Sequence, residues 1–340
     1  MKVFYSEAHR KHHPAFEVMD GGARTPYLES PERMDRILAA LHKTKWAEIL
    51  EPQDFGLDPI YQVHDRTYVD FLASGWNEWM ETEATDKSVL LPATFALRRH
   101  PRRPKSVLGR AGYYLMDLSA CIVERTYEAS LAAANCALTA AQAIFDGEHA
   151  AFALCRPPGH HAGKDYGAGY CFINNAAVAA NWLSFKGRVA VLDIDYHAGN
   201  GTEELFYERD DVLTISIHAD PNFEYPHFVG YADEHGAGNG LGLHHNFPLA
   251  AKTKDETYLK TLDKALGIIR KFKPKYLVIS AGMDIYRDDK LGTFKITRKG
   301  IGEIGEHIAA LGLPTVIVME GGYNTEALGK NMVALLKGLK

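Results

Sequence analysis

Apolar residues in the second half of the chain fall in short unbroken runs instead of alternating with polar ones. Residues 152–155, 189–192, 212–217, 276–280 and 315–319 are such runs, and MKVFY at 1–5 is a sixth. Runs of this length without alternation predict strands buried on both faces, the signature of a parallel sheet. The segments between them have helical character. Residues 126–146 are alanine-rich and end at Gly147, residues 175–186 end at Gly187, and 256–272, 297–311 and 325–338 are amphipathic. Each predicts a helix. Strand–helix alternation of this kind predicts an α/β fold with right-handed crossovers.

Two stretches escape the pattern. Residues 76–110 carry Trp76, Trp79 and the basic run Arg98 to Lys105, and residues 219–246 are rich in Gly, His, Asn and Pro. Both are too long and irregular for simple connections and predict functional or interface loops. No linker or internal repeat interrupts the chain, so residues 1–340 read as a single domain with an insertion at about 76–110. Length alone, at about 150 residues per domain, would also suit two.

Composition narrows the picture further. With 46% hydrophobic and 24% charged residues, wholesale disorder is excluded. A net charge of −5 gives no global basic field, and the basic run lacks interleaved aromatics, so no nucleic-acid partner is expected. No apolar run is long enough for a membrane-spanning helix, and MKVFYSEAHRKHHP reads as neither signal nor transit peptide. Cys121, Cys136, Cys155 and Cys171 show no CxxC spacing, which fits a reduced, cytoplasmic setting. The remaining oddity is 16 histidines.

Chemistry concentrates where the apolar runs end. Ligands of open α/β sheets bind beyond the carboxyl ends of the strands. The run at 152–155 leads into Arg156-Pro157-Pro158-Gly159-His160-His161, and that at 189–192 into Asp193-Ile194-Asp195-Tyr196-His197. The runs at 276–280 and 315–319 lead into Ala281-Gly282-Met283-Asp284 and Glu320-Gly321-Gly322-Tyr323. Asp193, Asp195 and His197 are spaced at i, i+2, i+4, which places them on one face if the strand persists. Carboxylates at the end of a buried strand need a cation or hydrogen bonds to offset their desolvation. Two carboxylates and an imidazole, with Asp284 drawn from a parallel strand, make a three-ligand catalytic zinc set. The competing reading for each aspartate alone is a cap on the following helix. His160-His161 borders the same edge, whereas His12-His13 and His244-His245 are expected to be solvated or hydrogen-bonded within loops. Gly321-Gly322 would let the backbone turn at positive φ and carry Tyr323 inward, where its phenol could meet an oxyanion. A packed turn tyrosine is the alternative.

RPPGHH, DIDYHAGNG, SAGMD and EGGY, in that order, with SPERMDRI and VHDRTYVDFL before them, resemble the histone deacetylase and acetylpolyamine amidohydrolase superfamily over nearly the whole chain. The resemblance implies an arginase/deacetylase-like three-layer α/β fold with a central, mostly parallel β-sheet. It implies zinc-dependent hydrolysis of an N-acetyl amide, with one catalytic zinc per subunit on Asp195, His197 and Asp284. His161 matches the general base and acid, His160 its partner, and Tyr323 the tyrosine that polarises the carbonyl. Asp193 and Asn200 match the residues behind the two histidines. Tyr170 and Tyr225, with Gly169, match the substrate channel. Asp193, Asp195, His197, Ser216 and Ile217 match a structural potassium site. His197-Ala198-Gly199 departs from the His-His-Gly of many relatives, at a position that is not a ligand.

The CFINNAAVAA stretch and the 76–110 insertion look most like bacterial acetylpolyamine amidohydrolases, which implies a small acetylated polyamine or diamine as substrate and a homodimer through the insertion. Acidic residues that read the distal ammonium in such relatives have no clear match here. Asp117 is the nearest candidate. The alternative is a histone deacetylase-like enzyme acting on acetyl-lysine in proteins or peptides.

Overall fold

The apolar runs become strands because both of their faces are covered. The computed structural model describes residues 1–19, 22–96 and 102–340. Its strands are β1 (Lys2–Phe4), β2 (Glu17–Met19), β3 (Ala23–Thr25), β4 (Glu48–Leu50), β5 (Ala150–Ala153), β6 (Val189–Asp193), β7 (Val212–Ala219), β8 (His244–Leu249), β9 (Tyr276–Ala281) and β10 (Thr315–Met319). Its helices are α1 (Glu32–Leu41), α2 (Asp58–Tyr61), α3 (Arg66–Met80), α4 (Val107–Tyr114), α5 (Thr126–Phe145), α6 (Asn175–Ser184), α7 (Asn200–Phe206), α8 (Asp255–Phe272), α9 (Arg298–Ala309) and α10 (Thr325–Gly338). Eight strands form one sheet in the order β4-β1-β5-β10-β9-β6-β7-β8, and β2 and β3 form a separate antiparallel pair.

Every pairing within the large sheet is parallel. Successive side chains of a strand enter opposite layers. Val189 and Val191 of β6 join a core shared with α5 and α6, whereas Ala190 and Leu192 join one shared with α1, α8, α9 and α10. The three-layer α/β arrangement is therefore present, and the sheet is wholly rather than mostly parallel.

Three local expectations change. The stretch 76–110 is not irregular throughout: Trp76 and Trp79 belong to α3, and α4 opens at Val107. Helix propensity simply continues through Trp79, whose side chain is buried. Arg98 to Pro101 of the basic run lie outside the described residues. The stretch 219–246 ends in a strand, so His244 is neither solvated nor in a loop. It is buried on β8, 2.6 Å from Thr214 Oγ1 and 3.1 Å from Glu203 Oε2. His12 is likewise buried, between Thr126 and Tyr27, while His13 is exposed. Among the described residues, no helix is long and apolar enough to cross a membrane.

Candidate active site

Strands β5, β10, β9 and β6 lie side by side, and their carboxyl ends deliver every group singled out at the strand termini. Asp195, His197 and Asp284 converge, with one ligand atom from each lying within 4.8 Å of the others. His197 Nδ1 stands 3.3 Å from Asp195 Oδ1 and 3.3 Å from Asp284 Oδ2. The other carboxylate oxygens are held by backbone N–H groups: Gly321 donates to Asp195 Oδ2 at 2.8 Å and Tyr196 to Asp284 Oδ1 at 3.0 Å. Asp284 Oδ2 is buried without a hydrogen bond. Neither Asp193 nor Asp195 caps α7, whose N-cap is Gly199 with no side-chain bond, so the capping alternative falls.

The space around these ligands is reserved. A Cβ on Gly282 would come 2.1 Å from Asp195 Oδ2, and one on Gly321 would come 2.4 Å from Asp284 Oδ2. The expected positive φ belongs to Gly322, at 124°, while Gly321 serves as clearance for the carboxylates. The cluster strongly favours positive charge. Burial, then Asp195, pushes the Asp284 carboxyl up to about 7. Burial alone would lower the His197 imidazole, but Asp195 and Asp284 raise it to about 10. An orphaned anionic oxygen, glycine clearance and a carboxylate–carboxylate–imidazole donor set fit a zinc ion.

The two adjacent histidines are tuned apart. His160 Nδ1 lies 2.8 Å from Asp193 Oδ2, and His161 Nδ1 lies 2.7 Å from Asn200 Oδ1. The Asn200 amide donates to the Tyr166 hydroxyl at 3.2 Å. That leaves Oδ1 as the acceptor, so His161 carries its proton on Nδ1 and its lone pair on Nε2. Burial opposes charge on both rings. For His160 the carboxylates of Asp193 and Asp195 outweigh it and raise the ring well above its ordinary value. For His161 burial, then His160 and His197, hold the ring well below. A neutral acceptor therefore stands beside an imidazolium, ring centroids 3.9 Å apart.

A cavity of about 500 Å³ opens onto His161 and His197 and is lined by Gly169, Tyr170, Tyr225, Asp117 and Tyr323. Gly169 is required by close approach: a Cβ there would lie 2.3 Å from His161 Cδ2. The Tyr225 ring meets His161 edge-on at 4.9 Å, and Tyr170 lies 5.7 Å from Tyr323. Asp117 joins two walls, accepting from Gly169 N and from the Tyr225 hydroxyl, both at 2.7 Å. Asp193 and Ser216 are opposite in register across β6 and β7, and Ile217 follows on β7. The Ser216 hydroxyl is engaged by His218 Nδ1 at 2.7 Å.

Sequence reasoning missed the groups that hold this machinery in place. Glu320, fully buried, accepts from Gly159 N at 2.7 Å and His160 N at 3.2 Å, tying the histidine turn to the end of β10. Arg33 donates to the carbonyls of Glu320 and Gly322 at 2.5 and 2.7 Å and pairs with Glu29, which also binds Arg156. Asp289 accepts from Tyr323 N at 2.7 Å. The available signals were the Arg33 of SPERMDRI, the Arg156 of RPPGHH and the Glu320 of EGGY, each a charged residue inside a motif with no assigned chemistry.

The model of the histone deacetylase domain matches residues 27–339. Acetylpolyamine amidohydrolase 1 of Pseudomonas aeruginosa is 45% identical over 99% of this chain and 98% of its own. The acetylpolyamine amidohydrolase of Mycoplana ramosa is 41% identical over 100% and 99%. Among solved structures, the acetylpolyamine aminohydrolase of Burkholderia pseudomallei superposes with a TM-score of 0.96 at 41% identity, covering 99% of this chain and 98% of that one.

Proposed function

Since the chain belongs to the histone deacetylase domain family, we propose that it removes acetyl groups from small N-acetylated polyamines or diamines, giving acetate and the free amine. The observation that carries this reading is one cavity, lined by Tyr170, Tyr225 and Tyr323, that opens onto His161 and onto His197 of the Asp195–His197–Asp284 cluster. Asp195, His197 and Asp284 would hold a zinc ion, which would supply Lewis acidity toward the amide carbonyl and the attacking water. His161 Nε2 takes a proton from the attacking water, as a base kept neutral by burial can. The Tyr323 phenol donates to the oxyanion of the tetrahedral intermediate. His160, held charged by Asp193, stabilises the same developing negative charge. His161 then returns its proton to the leaving nitrogen. Tyr170 and Tyr225 flank the alkyl chain, and Asp117 fixes the distance between the walls.

One zinc per subunit and a structural potassium ion at Asp193, Asp195, His197, Ser216 and Ile217 complete the reading. So does a homodimer formed through 76–110, supported by the exposed Met80, Phe95 and Leu108, and a cytoplasmic location. The test is a substrate panel with zinc-loaded protein. N-acetylputrescine and N-acetylcadaverine should be hydrolysed with higher kcat/KM than an acetyl-lysine peptide. Equal or faster peptide turnover would favour the acetyl-lysine deacetylase alternative, and light scattering at monomer mass would reject the dimer.

A further inference from the structure

Among the described residues, two acidic residues border the active-site cavity, Asp117 and Glu224, and no Lys or Arg does. Asp117 is fully occupied. Its Oδ1 accepts from Ser119 N at 2.9 Å and Ala120 N at 3.1 Å, and its Oδ2 from Gly169 N and the Tyr225 hydroxyl at 2.7 Å each. Four donors use the four lone-pair sites of a carboxylate. Recruiting Asp117 to a substrate cation would mean giving up a bond that holds the cavity wall.

Glu224 is in a different situation. It is half-buried beside Tyr225, and its backbone N–H is satisfied by Asp220 O at 3.1 Å. Its carboxylate interacts with the Tyr196 phenol, whose hydroxyl also pairs with Thr293 Oγ1 at 2.7 Å and whose ring stands edge-on to His197 at 5.0 Å. Among the described residues no other partner engages the Glu224 carboxylate, so lone pairs remain for a substrate cation. Phe223, Leu291 and Met116 line the same cavity. A half-buried carboxylate attracts an alkylammonium more strongly than one in bulk water.

We propose that Glu224 is the specificity-determining residue that reads the distal ammonium of the substrate, with Asp117 reserved for positioning the walls. The inference rests on the acetylated-amine reading above and deepens it. The Asp-Pro-Asn-Phe-Glu-Tyr segment gave no such signal in sequence, because the distinction depends on which carboxylate is already bonded.

Three substrates that share a four-carbon tail separate the possibilities: N-acetylputrescine, the neutral N-butylacetamide and the anionic N-acetyl-4-aminobutyrate. Wild type, Glu224→Gln and Glu224→Lys are compared by kcat/KM on each, with zinc content and melting temperature measured in parallel. The preference for the ammonium-tailed over the neutral substrate should fall roughly 10- to 100-fold in Glu224→Gln, the size of one charged hydrogen bond. It should fall further in Glu224→Lys, with gain on the carboxylate-tailed substrate. A preference that stays within about twofold of wild type in Glu224→Gln overturns the proposal, whether or not Glu224→Lys folds. Wild-type cleavage of N-acetylputrescine and N-butylacetamide at equal rates overturns it too. Wild type that cleaves none of the three ends the acetylated-amine reading itself.

Discussion

Replacement of Gly321 by alanine should weaken zinc binding without unfolding the protein. The backbone at Gly321 is not left-handed, so conformation is no obstacle, and the difficulty is space. The new methyl carbon would start 2.4 Å from Asp284 Oδ2 and 2.6 Å from Asp195 Oδ2, whereas ordinary contact begins at 3.4 Å. At least one carboxylate oxygen must therefore retreat by about 1 Å, five times the roughly 0.2 Å tolerance of a metal–ligand distance. These contacts, and a third to Asp284 Cγ at 3.0 Å, all involve side-chain atoms, so relief comes from ligand displacement and the strand need not move. Disturbing a neighbour of the ligands typically costs about 10- to 100-fold in metal affinity, and direct displacement belongs at the upper end. Zinc affinity is read by chelator competition on purified protein, with circular dichroism and the melting temperature as folding controls. Gly267→Ala provides the contrast. It lies in α8 with nothing within 4 Å of the added Cβ, and should leave zinc affinity alone while stabilising by about 0.5–1 kcal/mol. A folded Gly321→Ala protein whose zinc affinity lies within about threefold of wild type would refute the assignment of Asp195 and Asp284 as ligands.

Three further outcomes are expected. His161→Ala should lower kcat by roughly 10²–10⁴-fold while zinc content is retained; appreciable residual turnover would remove His161 as the base. Glu320→Ala removes the acceptor for Gly159 N and His160 N and should lower kcat about tenfold with KM little changed, whereas Glu320→Gln, which keeps one acceptor oxygen, should recover most of it; equal loss in both variants would reject the hydrogen-bond role. Burial holds the His64 imidazole down at about 4, so the unfolded chain takes up a proton below about 6.5 that the fold refuses. The stability from this site is complete above pH 6.5 and is lost as the pH falls toward 4, amounting to about 2 kcal/mol at pH 5 at 1.36 kcal/mol per unit. Denaturant melts of His64→Gln should show a correspondingly flatter decline between pH 6.5 and 5, and a slope equal to wild type would contradict it.

The parts of the fold legible in sequence were those whose physics is local. The runs at 189–192 and 276–280 could be read as β6 and β9 because a strand covered on both faces needs apolar residues at every position. The edge strands β4 and β8 obey a different rule. β8 is His-His-Asn-Phe-Pro-Leu, with His244 and Asn246 turned inward onto Thr214, Glu203 and Glu234, and its Pro248 is tolerated only because the strand lies at the edge. Polar residues buried in a bonded network look like a loop until the network is known. The same holds at the site. Asp195, His197 and Asp284 stood out because carboxylates at strand ends are anomalous by themselves, but the role of Glu320 or Arg33 depends on partners more than a hundred residues away. Asp117 and Glu224 could not be ranked without knowing which lone pairs were already in use.

The position of β10 has a consequence for how the chain reaches activity. It is the last of the strands along the sequence, yet it sits in the middle of the sheet, paired with β5 on one side and β9 on the other. During synthesis from the N-terminus, β4, β1 and β5 emerge without any strand to join them to β6, β7, β8 and β9. Until β10 slots between the two halves, the histidine turn has no Glu320 beneath it, Asp195 lacks the Gly321 N–H, and Tyr323 is not held at the cavity. The fold thus carries a kinetic interlock: a nascent or truncated chain can hold pieces of the metal site but cannot assemble the base, the ligands and the tyrosine together, and catalysis begins only when the keystone strand is in place.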